Sequence, residues 1–202
     1  MNRPIVLSSA RFASLALLTA IAVAGCHGNS STSAQFAPSN TAATPGLVKL
    51  MQKSRSGSRV VLDVVIFGPE PALDLSGFKF AVKIGDPSLA QLAMQTTCSQ
   101  NALVAGDGQA ITVEVDGASD PSLIQVTTAK QGGGPGNGIA GGSAVVIELP
   151  LDVQGSGATS LTLVGIGDQP PQAIDSTRNS IPAVTFDDAS ATVRGVTTGG
   201  GY

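Results

Sequence analysis

The feature that most constrains the fold of this chain is a strict alternation of apolar and polar residues in several short segments. Residues 77–84 (GFKFAVKI) place Phe78, Phe80, Val82 and Ile84 on one side and Lys79, Ala81 and Lys83 on the other. A side-chain period of two is typical of a half-buried β-strand. The same period recurs at 111–116 (ITVEVD) and at 144–153 (AVVIELPLDV), where the predicted inward residues are Val145, Ile147, Leu149, Leu151 and Val153.

Segments with the composition of strands continue along most of the chain. Further candidates lie at 47–51, 59–67, 123–129, 160–166 and 189–196. They are separated by turn signals such as Gly68-Pro69, Asp107-Gly108 and Gly155-Ser156-Gly157. Many short strands with Gly and Pro turns and no long helices predict an all-β fold. We expect two packed antiparallel sheets, a sandwich of the Greek-key or jelly-roll kind with about nine strands.

The local structure is not determined by the pattern at one residue and in one short segment. Pro150 cannot donate a ladder hydrogen bond, so the sequence predicts either a bulge there or a backbone nitrogen that faces a sheet edge. Residues 87–92 (PSLAQL) are the one segment that could form a helical turn.

The first 25 residues have the pattern of an export signal. Arg3 and Arg11 lie in the basic start, and residues 12–25 form an uncharged apolar run. This run is shorter than the ~20 apolar residues that cross ~30 Å of hydrocarbon. The segment Val23-Ala24-Gly25-Cys26 resembles the lipobox of bacterial lipoproteins, which implies that the sulfur of Cys26 carries a diacylglycerol. The alternative is an ordinary signal peptide cut near Ala24, with Cys26 incidental.

The resemblance to lipoproteins divides the chain into four parts. Residues 1–25 would be the signal peptide, 26–45 the acylated cysteine with a Ser/Thr/Ala-rich flexible linker, 46–196 one domain, and 197–202 a Gly-rich tail. A second acyl chain on the freed amine would make the anchoring stable. His27 after the anchor implies transport to an outer membrane where the organism has one, and otherwise the outer face of the cell membrane. Cys98 is expected to be a half-buried small apolar residue.

Composition excludes some function classes. Without residues 1–25, the chain has 9 Lys and Arg against 14 Asp and Glu, a net charge of −5. Nucleic acids and anionic lipids require clustered cations, so neither is an expected partner. A local basic exception at Lys49, Lys53, Arg55 and Arg59 is interpreted as a solvated strand face or loop.

The order of the segments resembles a cohesin domain, the module that holds dockerin-bearing enzymes in cellulosomes. Three pieces carry the resemblance: 59–66 (RVVLDVVI), 75–89 (LSGFKFAVKIGDPSL), and 141–155 (GGSAVVIELPLDVQG) followed by Leu161-Thr162-Leu163. Together they span most of residues 48–193. Gly85 stands where the family usually has an aromatic residue, and Leu151 where a Phe is common. The resemblance implies a nine-stranded jelly-roll sandwich and a role in protein recognition.

Several chemical motifs lack the context that their chemistry needs. Residues 136–141 (GNGIAG) match the dinucleotide fingerprint, but a Gly-rich loop precedes them and a strand follows, so a long mobile loop over 131–142 is expected. His27 is the single histidine and lies in the predicted tether, which leaves no Ser-His-Asp triad. The acid pairs Glu114/Asp116 and Asp187/Asp188 are interpreted as surface carboxylates.

Metal and sugar sites have equally little support in the sequence. Asp168, Asp175, Asp187 and Asp188 could capture calcium only if loops bring three or more oxygens together. The chain has no Trp, and its one Tyr, Tyr202, ends the tail, so a platform for stacking sugar rings is not expected.

These observations predict a lipid-anchored, non-catalytic binding module of the cell envelope, with no cofactor and no metal. Its partner would be an envelope or secreted protein of dockerin-like kind, held near the membrane by the anchor. The alternatives are binding of surface polysaccharide, or a structural role in a secretion or pilus system. Cys26 is the one site residue that the sequence names, as the point of lipidation.

Overall fold

The alternating segments form strands in the computed structural model, which describes residues 31–93, 111–132 and 134–198. Bulky β-branched and aromatic residues at every second position favour this extended backbone. The strands are β1 Ser31–Ala37, β2 Leu47–Ser56, β3 Arg59–Phe67, β4 Glu70–Leu75, β5 Gly77–Ile84, β6 Ala90–Leu92, β7 Ile111–Asp116, β8 Leu123–Lys130, β9 Asn137–Ile139, β10 Ser143–Val153, β11 Gly157–Val164, β12 Gln172–Ile174, β13 Thr185–Phe186 and β14 Ala191–Thr198.

Two large sheets face each other across the core. The first has seven strands in the order β1-β14-β11-β5-β8-β7, with β12 also paired to β5. The second has five strands in the order β13-β2-β3-β10-β6, and β4 pairs with β9 in a small third sheet. All pairs are antiparallel except β13 with β2. The predicted all-β jelly-roll sandwich is confirmed, with more short strands than the nine expected.

The core lies between the inward rows of the two sheets. In β5 the four predicted inward residues are at most 1% exposed, and they face the inward rows of β3 and β10. Ala81 was expected to face solvent, yet it is 0% exposed. It pairs with Gln125 and Val164 on the neighbouring strands, and a methyl group between two longer side chains is covered by them.

Strand β10 departs from the predicted pattern at one residue. The register with β3 shifts between Val145 and Ile147, so a bulge at Val146 reverses which residues face inward. Val146 is buried instead of Val145, whose predicted inward position is wrong. Pro150 is not at this bulge. Its carbonyl accepts from Ala93 N at the end of the short strand β6, so its nitrogen faces the same side, where the ladder stops.

The segment expected to be a flexible linker contains a strand. Residues 31–37 form β1, which pairs along its whole length with β14, from Ser31 opposite Thr198 to Ala37 opposite Thr192. Ala34 is buried in the core and Phe36 packs against it. The strand has few apolar residues, so its periodicity is weak in the sequence, and its order comes from pairing with a distant segment. The linker prediction is therefore wrong for residues 31–37.

Two further local expectations differ from the structure. Within the expected loop over 131–142, residues Asn137–Ile139 form β9 against β4. Residues 87–89 form a turn that leads into strand β6, and no helical turn is present there. In the described ranges, no helix has the length and apolar character that a membrane crossing would need.

Candidate interaction surface

The outward sides of the two large sheets are the main extended surfaces of the domain. We call the outward side of β7, β8, β5 and β11 the open face; it carries Glu114, Asp116, Gln125, Thr127, Lys79, Ala81, Lys83, Thr162 and Val164. We call the outward side of β2, β3 and β10 the bonded face; it carries Lys49, Met51, Lys53, Arg59, Val61, Asp63, Val65, Glu148, Pro150 and Asp152.

The open face is built from short or polar side chains on regular strands. Cross-strand register places Glu114, Thr127 and Lys79 in one row and Asp116, Gln125 and Ala81 in the next. Within the described ranges, the side chains of Lys83, Glu114, Gln125 and Thr127 make no hydrogen bond or ion pair. Three other polar residues of this face are bonded to neighbouring segments: Lys79 to Gln169, Thr162 to Ser190, and Asp116 to Ala118 and Ser119. Four of its polar side chains therefore remain available for contact with another protein.

Lys49 on the bonded face is buried, and its charge is satisfied locally. Only 3% of the residue is exposed, and its Nζ lies 4.8 Å from the centre of the Phe67 ring. The Nζ donates to Asn40 O at 3.1 Å and to Ala42 O. The segment between β1 and β2 therefore crosses over this end of the face and is held there by the lysine.

Two further cations of the bonded face are paired with carboxylates of that face. Lys53 donates to Glu148, which raises the pKa of the lysine. Arg59 Nε donates to Asp152 Oδ1 at 2.7 Å, and a second bond runs from its Nη2 to Oδ2 at 3.0 Å. Lys53, Arg55 and Arg59 are exposed, as predicted for a solvated strand face, but the prediction is wrong for Lys49, which is buried and bonded to the segment between β1 and β2.

Asp63 is the exception on the bonded face. Its Oδ1 is buried and has no hydrogen-bond partner in the described part of the chain. Burial raises the pKa of Asp63, the neighbouring Glu148 raises it further, and Lys53 opposes this. Asp63 is therefore the least favourable charge of this surface.

Two clefts open beside these faces. One, of about 680 Å³, lies where β5 begins and β8 ends, between Lys130 and the turn that carries Asp175 and Arg178. The other, of about 410 Å³, lies between β1 and the edge of β2, with Phe36, Pro38 and Met51 in its lining. The edge of β2 beside it is bulged near Lys53 and carries Arg55, which is how natural sheets discourage pairing with a further strand.

The glycines of the dinucleotide-like motif serve close packing. A Cβ on Gly136 would overlap the backbone of Leu75, and one on Gly138 would overlap the carbonyl oxygen of Pro71. Asp74 fixes the same region, since it accepts from Ser176 Oγ, from Ser176 N at 3.2 Å and from Gly136 N. These bonds, that of the Ser176 hydroxyl above all, lower the pKa of Asp74. Residues 137–139 of the motif form β9, and the motif does not begin a helix.

The carboxylates considered for chemistry are separated or occupied by local turns. Glu114 is exposed on β7, while Asp116 accepts from Ala118 N and from Ser119, whose hydroxyl lowers its pKa. Asp175 accepts from Thr177 and Asn179, and Asp187 accepts from Ser39 Oγ at 2.6 Å. In the described ranges, no three His, Cys, Asp or Glu residues lie close enough together to hold a metal ion.

Four of the five phenylalanines within the described ranges lie in the core or pack against it, and Phe67 lies beneath Lys49 on the bonded face. Phe78 and Phe80 are fully buried, Phe67 is 8% exposed, and Phe36 and Phe186 pack against the core. Met51, at 39% exposure, is the large apolar side chain that is exposed in this part of the chain. Cys26, His27, Cys98 and Tyr202 lie outside the described residues.

Comparison with known proteins relates this fold to one class of solved structures. No protein-family model matches the sequence, and no curated protein matches it either. A structure from an interface mutant of a type II cohesin–X-dockerin complex of Acetivibrio cellulolyticus is similar over 76% of this chain and 94% of its own, with 12% identity and a TM-score of 0.50.

Two further solved structures are similar to the same extent. The second type II cohesin module of a cellulosomal adaptor scaffoldin from Acetivibrio cellulolyticus matches over 78% of this chain and 94% of its own, with 13% identity and a TM-score of 0.50. A type II cohesin from Bacteroides cellulosolvens matches over 71% and 95%, with 13% identity and a TM-score of 0.50. The chain therefore has a cohesin-like fold.

Proposed function

We propose that this protein is a non-catalytic binding module, anchored to a membrane of the cell envelope through Cys26, which binds a partner protein with its open face. The observation that carries the proposal is the difference between the two sheet faces. Lys83, Glu114, Gln125 and Thr127 offer polar groups that are bonded to nothing else in the described ranges, whereas the bonded face uses its charges internally.

The fold supports protein recognition as the kind of function. One of the solved structures with this fold comes from a complex with a dockerin. We therefore infer a folded protein module of dockerin-like kind as the partner. Sites on rigid strands hold their side chains in place before binding, which lowers the entropic cost of association.

The anchor is inferred from the sequence. A short apolar run after basic residues ends at Val23-Ala24-Gly25-Cys26, and a thioether-linked diacylglycerol on Cys26 would hold the domain at the membrane surface. Tethering raises the effective concentration of the module for partners at the same surface, so a modest affinity for each partner would suffice.

The proposal is tested by capture and then by measurement on the captured protein. The soluble fragment 31–202 is immobilised and exposed to an envelope extract, and any retained protein is identified, purified and titrated against the fragment by calorimetry. The same fragment is sedimented with insoluble polysaccharides. A purified partner that binds one-to-one, with no sedimentation, supports the proposal. Sedimentation without a protein partner would show that the function is polysaccharide binding.

The anchor is tested separately on the full chain. The protein produced in a bacterial host should float with membranes and gain mass on the peptide that begins at Cys26, and Cys26→Ser should abolish both. A soluble protein cut near Ala24, without added mass, would contradict the anchor while leaving the binding role intact.

A further inference from the structure

The position of β1 fixes where an anchored chain would leave the folded domain. Ser31 pairs with Thr198 at one end of the seven-stranded sheet, and Ala34 N donates to Gly57 O at 2.8 Å. The strand is paired with β14 along its whole length. The tether of an anchored chain would therefore end at Ser31 and not at residue 45.

The end of the sandwich beside Ser31 is formed by a set of turns, which we call the proximal end. It contains the β2–β3 turn at Gly57 and the β10–β11 turn at 154–156, and Gly195, which pairs with Ala34, packs against Gly155. The connection from β5 to β6 lies at the same end, because Gln154 N donates to Leu89 O. The opposite end, which we call the distal end, contains Gly68, Ala140 and the cleft of about 680 Å³.

The chain between the proposed anchor and the domain is short. Four residues, His27 to Ser30, separate Cys26 from Ser31. Five Cα steps span at most about 18 Å, even when fully extended. Strand β10 alone has 11 residues, which corresponds to about 35 Å, so the domain is longer than its tether.

We infer that the anchored protein stands on its proximal end, with the turns at Gly57 and Gly155 against the lipid head groups and the distal cleft pointing away from the membrane. This inference rests on the proposed lipid anchor at Cys26. The contact is to the bilayer that carries the anchor. In this orientation the strands rise from the membrane, and the open face is turned sideways, where a partner can reach it.

Charge is not what sets this orientation. The proximal end carries Asp86, Asp116 and Asp120, together with Arg55 and Arg194. Hydrogen bonds from Ser88, Ser119 and Ser122 lower the pKa values of the three carboxyl groups, so they are ionised at neutral pH. A surface of both signs gains little from a charged membrane, and tether length is the controlling quantity.

The test measures the distance of each end from the membrane by energy transfer. Ser156→Cys and Ala140→Cys are placed one at a time in a Cys98→Ser background of the full, lipidated chain; both positions are exposed and bracket β10. Each cysteine is labelled with a donor dye, and the protein is inserted into phosphatidylcholine vesicles that contain a headgroup-labelled acceptor lipid. Transfer should be roughly twofold higher or more from position 156, because about 35 Å of strand separates the two positions.

A spacer insertion provides the matched control. About 20 Gly and Ser residues inserted between Ser30 and Ser31 add a flexible reach of roughly 25 Å, which should bring the two transfer efficiencies close together. The difference in the unmodified chain should persist at high salt. Equal or reversed transfer in a chain that floats with the vesicles would overturn the inferred orientation. Loss of flotation would instead refute the anchor, so the two failures are distinguishable.

Discussion

The two outward faces of the sandwich are made of similar residue types but differ in what their polar groups contact. On the bonded face, Lys49 donates to two backbone carbonyls and Arg59 forms two bonds to Asp152. On the open face, Lys83 and Glu114 are exposed and make no such bond within the described ranges. Charge content alone therefore does not distinguish the two faces; the partners of the charges do.

The energetic reason concerns what a partner protein would have to displace. Groups that are bonded only to water exchange those bonds for bonds to a partner, at small net cost. Side chains that are already bonded to each other would have to separate before they could bond to a partner protein. A buried cation such as Lys49 would then be left without its acceptors. A partner that binds the open face would therefore break fewer existing bonds. The internal bonds of the bonded face instead contribute to the stability of the domain.

The largest expected effect comes from placing a charge at the centre of the open face. Thr127→Arg inserts a long cation between Lys79 and Glu114, and it should weaken binding of the captured partner by about 100-fold, as central interface changes commonly do. Met51→Arg makes a similar change on the bonded face and should leave affinity unchanged. Calorimetric titration measures the affinity of both variants for the partner. An equal loss of affinity in the two variants would contradict the distinction between the faces.

The next effect is on stability and distinguishes buried from exposed lysines. Lys49→Met should lower the free energy of unfolding by about 1–2 kcal/mol, since two charge-assisted hydrogen bonds are lost. Lys83→Met, on the open face, should change it by less than about 0.5 kcal/mol. Urea denaturation measures both. A Lys49→Met variant that is as stable as the parent would show that the bonded face does not depend on its internal bonds.

The smallest expected effect concerns Asp63. Since burial raises its pKa, the ionised carboxylate destabilises the folded state, and this cost develops as the pH rises from the unfolded value of 3.8 through the folded one. Asp63→Asn should therefore match the parent near pH 3 and be more stable at pH 7, by less than about 1 kcal/mol because the site is partly solvated. Thermal unfolding at both pH values is the measurement, and a loss of stability at pH 7 would contradict the burial argument.

Sequence periodicity predicted the strands that contribute most to the core. In β5, and in β10 beyond its bulge, alternate bulky residues meet the opposite sheet, and period-two burial is what the amino-acid pattern encodes. The bulge at Val146 was not predictable, because one extra residue in a run of valines and isoleucines leaves no local signal. Strand β1 was missed for a related reason, since its pairing with β14 joins residues far apart in the chain.

The candidate surface was less accessible to sequence reasoning than the fold. Alternation identified Lys79, Lys83, Glu114 and Asp116 as outward, but it could not show which outward charges would find partners. That depends on cross-strand register, which places Lys53 beside Glu148 and Arg59 beside Asp152. Gly136 and Gly138 illustrate the same limit, because their motif is explained by the close approach of β4 and not by any ligand.

Hydrogen–deuterium exchange of the chain with and without its purified partner shows which sheet the partner covers. If the partner binds the open face, exchange slows in β5, β8 and β7 and stays unchanged in β2, β3 and β10. Protection confined to β2, β3 and β10 would contradict binding by the open face and would assign recognition to the bonded face.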